Sequence, residues 1–291
     1  MKPQYVWWLF LAMVVVVPVY WLAGQWRRRR RLKKIQALPF PESWREILRK
    51  NLPVYRQLPN ALRNKLEQDI KWFLADKYFD GRDGLEITDE VRLTIAGQAC
   101  LLLLGRKNHR CYPKLERVVM YPDAYVATST ESAGDAAIKR PQVRLGESWQ
   151  GGAVVLSWRH VLAGARRPHD GENVVLHEFA HRLDQLSGQA DGAPILDSPG
   201  SYRHWATVMS KEFSSLRHRL QLRRSAWLNA YGATNPAEFF AVLTEYFFEK
   251  PHALKRHHPQ LFAIMKSYYG IDPGKDLKPE THTLKNEKTE T

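Results

Sequence analysis

The sequence predicts an α+β domain preceded by a single transmembrane helix. Three observations carry that expectation. Residues 5–24 form an uncharged, apolar run. Helical periodicity fills the stretch from Ser43 to about Gly105 and returns from Gly171 to about Tyr269. Between them lie short β-branched and aromatic runs punctuated by glycine, the signature of a small sheet.

The first element is the apolar run. Twenty residues at helical rise span about 30 Å, the thickness of a bilayer core. Trp7, Trp8, Tyr20, Trp21 and Trp26 cluster near its two ends, as interfacial aromatics do. Lys2 is the only basic residue before the run, whereas Arg27–Arg31 follow it at once. A cleaved leader has its charge in front and a small-residue cleavage site behind, so an anchor is the better reading. The positive-inside rule then puts the domain that follows in the cytoplasm, on a single-pass anchor in the inner (cytoplasmic) membrane.

The charge pattern agrees. The chain has 291 residues and a formal net charge of +14. Five arginines and two lysines between Gln25 and Lys34 supply half of that excess. Such a cluster beside an apolar span reads as a topology signal and an anionic-lipid contact, and no nucleic-acid partner is expected. Cys100 and Cys111 have no metal-like spacing and read as reduced thiols.

Leu38–Glu42 carries two prolines and reads as the linker into a domain spanning 37–272. Ser43-Trp44-Arg45-Glu46 has capping-box form, with Ser43 as N-cap. Pro59-Asn60 opens a second helix with Leu62, Leu66, Ile70 and Phe73 on one stripe. Thr88-Asp89-Glu90 starts a third, running to the leucines at 101–104, with Gly105 as its stop. Strands are expected at Arg117–Pro122, Ala124–Thr128, Gln142–Leu145 and Ala153–Trp158. The last of these is either an edge to which a peptide adds or an ordinary interior strand. The polar segment 273–291 has no hydrophobic stripe and is expected to be disordered.

The chemistry sits in His177-Glu178-Phe179-Ala180-His181. On a helix, i and i+4 share a face, so the two imidazoles can meet on one zinc ion. Glu178 is displaced from that face position and can serve the metal-bound water as general base. Such a site needs a third protein ligand. An extended motif with a glycine and a third histidine is excluded, because Asp184 and Ser187 stand at those positions. A later carboxylate remains. Asn235 and Pro236 mark a helix start, with Glu238 in its first turn and Glu245 seven residues on. Spacing alone does not choose between them.

Three segments together resemble the Mlc titration factor A family of zinc peptidases, which is akin to the catalytic domain of anthrax lethal factor. They are Ser148-Trp149-Gln150, Val175 through Asp184, and Tyr231 with Asn235 through Phe248. The resemblance covers roughly Phe40–Asp272 and implies a zincin-like metallopeptidase domain binding one Zn2+. It implies that Glu238 is the third ligand beside His177 and His181, and that Glu245 supports the site. It implies that Tyr231 donates a hydrogen bond to the developing oxyanion. It also implies modest aminopeptidase action on peptide or protein substrates, and a transcriptional repressor as a partner of the family's namesake. Two departures stand out. The namesake is soluble, whereas this chain opens on an apolar segment. Residues Ala136–Gln142 contain no histidine where the namesake has one. The rival expectation is a regulatory interaction protein with incidental peptidase activity.

Overall fold

The computed structural model describes residues 41–277, except 107–110, 124, 134–135, 145 and 150–151, and parts of 16–40. Strands between 125 and 149 are described by their backbone only. The chain divides into Met1–Phe40 and Pro41–Thr291. In the first unit, 16–20 and 22–24 are helical. Most of the expected span at 5–24 lies outside the described residues. Among those described, no helix is long and apolar enough to cross a membrane.

The second unit opens with α1 (Glu42–Asn51), α2 (Pro53–Gln57) and α3 (Asn60–Asp76). The expected capping box at Ser43 does not form. Pro41 occupies the N-cap position with φ −63°, and Ser43 lies inside the helix. Glu42 accepts from Arg45 at 3.1 Å and from Arg49 at 2.7 Å, so the first turn is tied to side chains one and two turns on. On α3 the expected stripe is real: Leu66, Ile70 and Phe73 are fully buried, and Leu62 is half-buried.

After β1 (Tyr78–Gly81) comes α4 (Asp89–Leu101), capped by Thr88, whose hydroxyl accepts from Val91 N–H at 3.4 Å. From Leu93 to Leu101 every residue of α4 is buried, which makes it a central helix. It ends at Leu101, earlier than the leucine run suggests. Gly105 serves a different purpose from a helix stop. A Cβ there would lie 2.3 Å from the Tyr269 carbonyl oxygen, so only glycine lets these two backbones touch.

The main sheet has the order β1-β2-β6-β5, with β2 at Arg117–Tyr121, β5 at Gly146–Trp149 and β6 at Ala153–Ser157. β1, β2 and β6 run parallel, and β5 returns antiparallel to β6. β3 (Tyr125–Ala133) and β4 (Ala136–Arg144) form a separate antiparallel hairpin. β6 is therefore interior, paired on both sides, and β1 and β5 each have one side unpaired among the described strands. Val154 and Leu156 of β6 and Val118 and Met120 of β2 are fully buried, as a sheet covered by helices requires.

Helices follow: α5 (Trp158–Arg166), α6 (Val174–Asp184), α7 (Pro199–Gln221), α8 (Pro236–Glu249), α9 (Pro251–His257), α10 (Pro259–Tyr269) and α11 (Pro273–Asp276). α6 and α8 pack on each other, and α6 also touches β5. The segment expected to be disordered from 273 begins as the short α11, and Pro273, Gly274 and Leu277 are buried. Residues 278–291 lie outside the described residues.

Candidate metal centre

α6 begins where Asn173 takes an extended conformation and its side-chain oxygen accepts from Val175 and Leu176 N–H, at 3.1 and 3.0 Å. That is the N-cap arrangement, and it fixes the start of the helix two to three residues later than the sequence pattern implies. α6 buries Val175, Leu176, Phe179 and Leu183. Phe179 packs edge-on against Tyr112, with ring centroids 4.7 Å apart. His177 and His181 fall one turn apart, with centroids 4.9 Å apart.

α8 starts as expected, with Asn235 capping: its side chain accepts from Glu238 N–H at 2.9 Å. Pro236 sits in the first turn. This start aims Glu238 at α6. Its Oε2 lies 2.9 Å from His177 Nε2 and 3.3 Å from His181 Nε2. One ligand atom from each of His177, His181 and Glu238 lies within 4.8 Å of the others. Ligand atoms on a tetrahedral zinc at ~2.0–2.1 Å are spaced about 3.3 Å apart, so this gathering is the right size for one ion.

The neighbouring charges favour a cation. Glu245 Oε1 accepts from His177 Nδ1–H at 2.8 Å, leaving Nε2 directed at Glu238. Glu245 Oε2 accepts from Asn173 N–H. Burial alone would lower the His177 pKa, but hydrogen bonds to Glu238 and Glu245 overcome it and raise the pKa to about 10. Burial works against ionisation of Glu238, yet its bonds to both histidines hold its pKa at about 2. Burial pushes the Glu245 pKa up while Glu238 stays ionised, so the site gathers acceptor oxygens around His177 that a divalent ion would suit. The donor set of two imidazoles and one carboxylate, with a carboxylate behind one imidazole, fits zinc.

The remaining sequence candidates sit as follows. Glu178 is buried on α6, beside His177 in the chain. Tyr231 lies in the 3-10 turn Ala230–Ala233, its ring centroid 5.8 Å from that of His177, and is 55% exposed. The site therefore has one wall facing solvent. Glu245 meets His177 at Nδ1, on the side of the ring away from Glu238.

Sequence reasoning missed Asn173 as a hub. Its Nδ2 donates to Gln98 Oε1 of α4 at 2.9 Å and to Glu249 Oε1 of α8 at 3.0 Å. Glu249 Oε2 also accepts from Gly171 N–H at 2.9 Å. Burial, chiefly, pushes the Glu249 pKa to about 8. The available signal was local: an asparagine directly before an apolar helical run. Its links to α4 and α8 are tertiary and carry no sequence signature. A cavity of about 510 Å³ adjoins Asn173 and Glu249 and is lined by none of His177, His181 and Glu238.

Comparison with known proteins agrees with this geometry. A family model described as glucose-regulated metallo-peptidase M90 matches residues 24–270. An uncharacterized protein of Synechocystis sp. is 40% identical over 256 residues, covering 87% of this chain and 90% of the relative. Mlc titration factor A of Klebsiella pneumoniae subsp. pneumoniae is 31% identical over 235 residues, covering 79% and 86%. The protein of the same name from Escherichia coli O127:H6 is 29% identical, with the same coverage. With a metal-ligating geometry on α6 and α8 and a family match over most of its length, the chain belongs to the M90 family of glucose-regulated metallopeptidases.

Proposed function

We propose that this protein is a zinc-dependent peptidase with aminopeptidase-like action, held at the cytoplasmic face of the inner membrane by its N-terminal segment. The observation that carries the reading is the meeting of His177 Nε2, His181 Nε2 and Glu238 Oε2, with Glu245 behind His177. These three side chains are the proposed ligands of one Zn2+. Zinc in such a site lowers the pKa of a bound water toward ~7 and polarises a carbonyl.

The protein's own groups supply the rest. Glu178 takes the proton from the attacking water and returns it to the leaving amine. Tyr231, on the open wall, donates its phenolic hydrogen to the carbonyl oxygen as negative charge develops there. Glu245, itself held by Asn173 N–H, keeps the His177 ring in one orientation and one tautomer. An extended substrate could lie along β5, which touches α6 and has one side unpaired among the described strands.

The test is Glu178→Gln in the full chain. Peptide hydrolysis should fall at least a hundredfold while bound zinc stays at one per chain. Unchanged turnover would sink the enzyme reading. Blocking the substrate's amino group separates aminopeptidase from internal cleavage, and retained cleavage would exclude the former.

The name of the curated relatives favours a second role, in which the chain binds a transcriptional repressor. Glu178→Gln should leave that binding intact. The apolar run 5–24 and the arginines at 27–31 support the anchor. Alkaline carbonate extraction of cell membranes should leave the protein in the pellet, and release into the supernatant would refute an integral anchor.

A further inference from the structure

After the second histidine the chain leaves α6 through the 3-10 turn Gln185–Ser187 and runs over the surface. Residues 187–191 are exposed, and then the chain dips inward, burying Gly192. Every side of that glycine is engaged. Its N–H donates to Asp184 Oδ2 at 2.8 Å. Its carbonyl accepts from Trp205 Nε1 of α7 at 2.9 Å. Its Cα backs onto the first turn of α8, where an added Cβ would fall 2.4 Å from the Pro236 carbonyl oxygen and 2.8 Å from the carbonyl carbon. Its φ is +76°, a conformation that glycine adopts without steric cost. Asp184 is fully buried and Trp205 nearly so, which shields both hydrogen bonds from water.

These contacts join the pieces of chain that bring the proposed ligands together. Asp184 is the last residue of α6, three beyond His181. Pro236 is the first residue of α8, two before Glu238. Trp205 also packs edge-on against Phe240, two residues after Glu238, with centroids 5.8 Å apart. Thr234, Asn235 and Pro236 are exposed, so the start of α8 has solvent on one side and the Gly192 backbone on another.

We propose that Asp184 and Gly192 are positioning residues for the metal centre, and that the Gly192 backbone is the spacer that sets how far Glu238 stands from the two histidines. The proposal deepens the metal-centre reading and rests on it. The distances show why a spacer matters here. Moving a Cβ from 2.4 Å to an ordinary contact of 3.4 Å separates the two backbones by about 1 Å. Metal–ligand distances hold to about 0.2 Å, so that shift is several times what one ion tolerates. Asp184 needs only an acceptor oxygen to hold Gly192. A charge on Asp184 acting directly on His181, one turn back, is the competing explanation, and a neutral acceptor separates the two.

The experiment uses the full chain in mild non-ionic detergent. Competition with a chromogenic chelator gives zinc affinity, and visible absorption of the Co2+-substituted protein reports coordination geometry. Gly192→Ala should weaken zinc binding at least tenfold and change the Co2+ bands. Asp184→Ala should weaken it at least threefold, as should Trp205→Phe, which keeps a ring and removes the donor. Asp184→Asn retains an acceptor and should stay within twofold of the wild type. Leu66→Ala, fully buried on α3, should lower the melting temperature and move neither metal readout, which separates positioning from general loss of stability. Affinities within twofold of the wild type in both Asp184→Ala and Trp205→Phe overturn the proposal, whether or not Gly192→Ala folds. So does Asp184→Asn binding as weakly as Asp184→Ala, which assigns the effect to charge. A wild type that binds no zinc, or that binds it no more tightly than Glu238→Gln does, sinks the metal-centre reading itself, and the spacer falls with it.

Discussion

Each ring nitrogen of His177 faces its own glutamate: Nε2 meets Glu238 and Nδ1 meets Glu245. This division explains why spacing could not assign the third ligand. Seven residues is two helical turns, so both glutamates share a face of α8 and both reach toward α6. What separates them is which edge of one imidazole each meets, a matter of tertiary placement. The histidines themselves were legible, because the i, i+4 rule is a property of one helix. Glu245→Gln should lower zinc affinity about 10–100-fold, as loss of a supporting carboxylate typically does. Competition with a chromogenic chelator measures this, and an unchanged affinity would show that Glu245 does not tune His177.

Helix starts were legible where a side chain really caps. Thr88 and Asn235 cap observed starts with their side chains, whereas Pro59 marks one through its fixed φ without a side-chain cap. Ser43 does not, since Glu42 is drawn to two arginines and the helix begins before the serine. β5 was invisible because Gly146–Trp149 is too short to show a period. The interior position of β6 depends on that missed strand. Asn173 links α4, α6 and α8, so Asn173→Ala should cost more than a surface cap, about 2 kcal/mol or more in chemical denaturation. A loss below about 0.5 kcal/mol would reduce it to an ordinary cap. Glu249 belongs to the same junction. Its pKa of about 8 lies above the usual 4.5. The stabilising preference for its neutral form is complete below pH 4.5 and is lost as pH rises through 8. Stability should therefore decline across that window, and Glu249→Gln should flatten the slope whatever it does to absolute stability. An equally steep slope in the variant would remove Glu249 as its cause.

For the molecule as a whole, counting charges located half of the excess at 25–34 and suggested that the rest was mild. The fold changes that picture by tying α7 to the start of α10 through Glu212 and His258, which engages the single acid among the six lysines and arginines between 199 and 235. No count along the chain can show this. Metal and fold are also separable at this scale. His177 is held by Glu238 and Glu245 as well as by its own helix, so the site is assembled by protein contacts. Removing zinc with a chelator should leave the far-ultraviolet circular dichroism unchanged and lower the melting temperature by the mass-action term alone. Loss of helical signal on chelation would instead make zinc a folding element.

The parallel register has a consequence for the order of birth. β1 pairs with β2 through Tyr78 and Arg117, and β2 with β6 through Arg117 and Ala153. A ribosome delivers these strands nearly forty residues apart, so the sheet stays incomplete until Ser157 has emerged. The two histidines come next, and Glu238 follows His181 by 57 residues. A growing chain therefore lacks the complete set of three proposed ligands until every strand of its main sheet has been made.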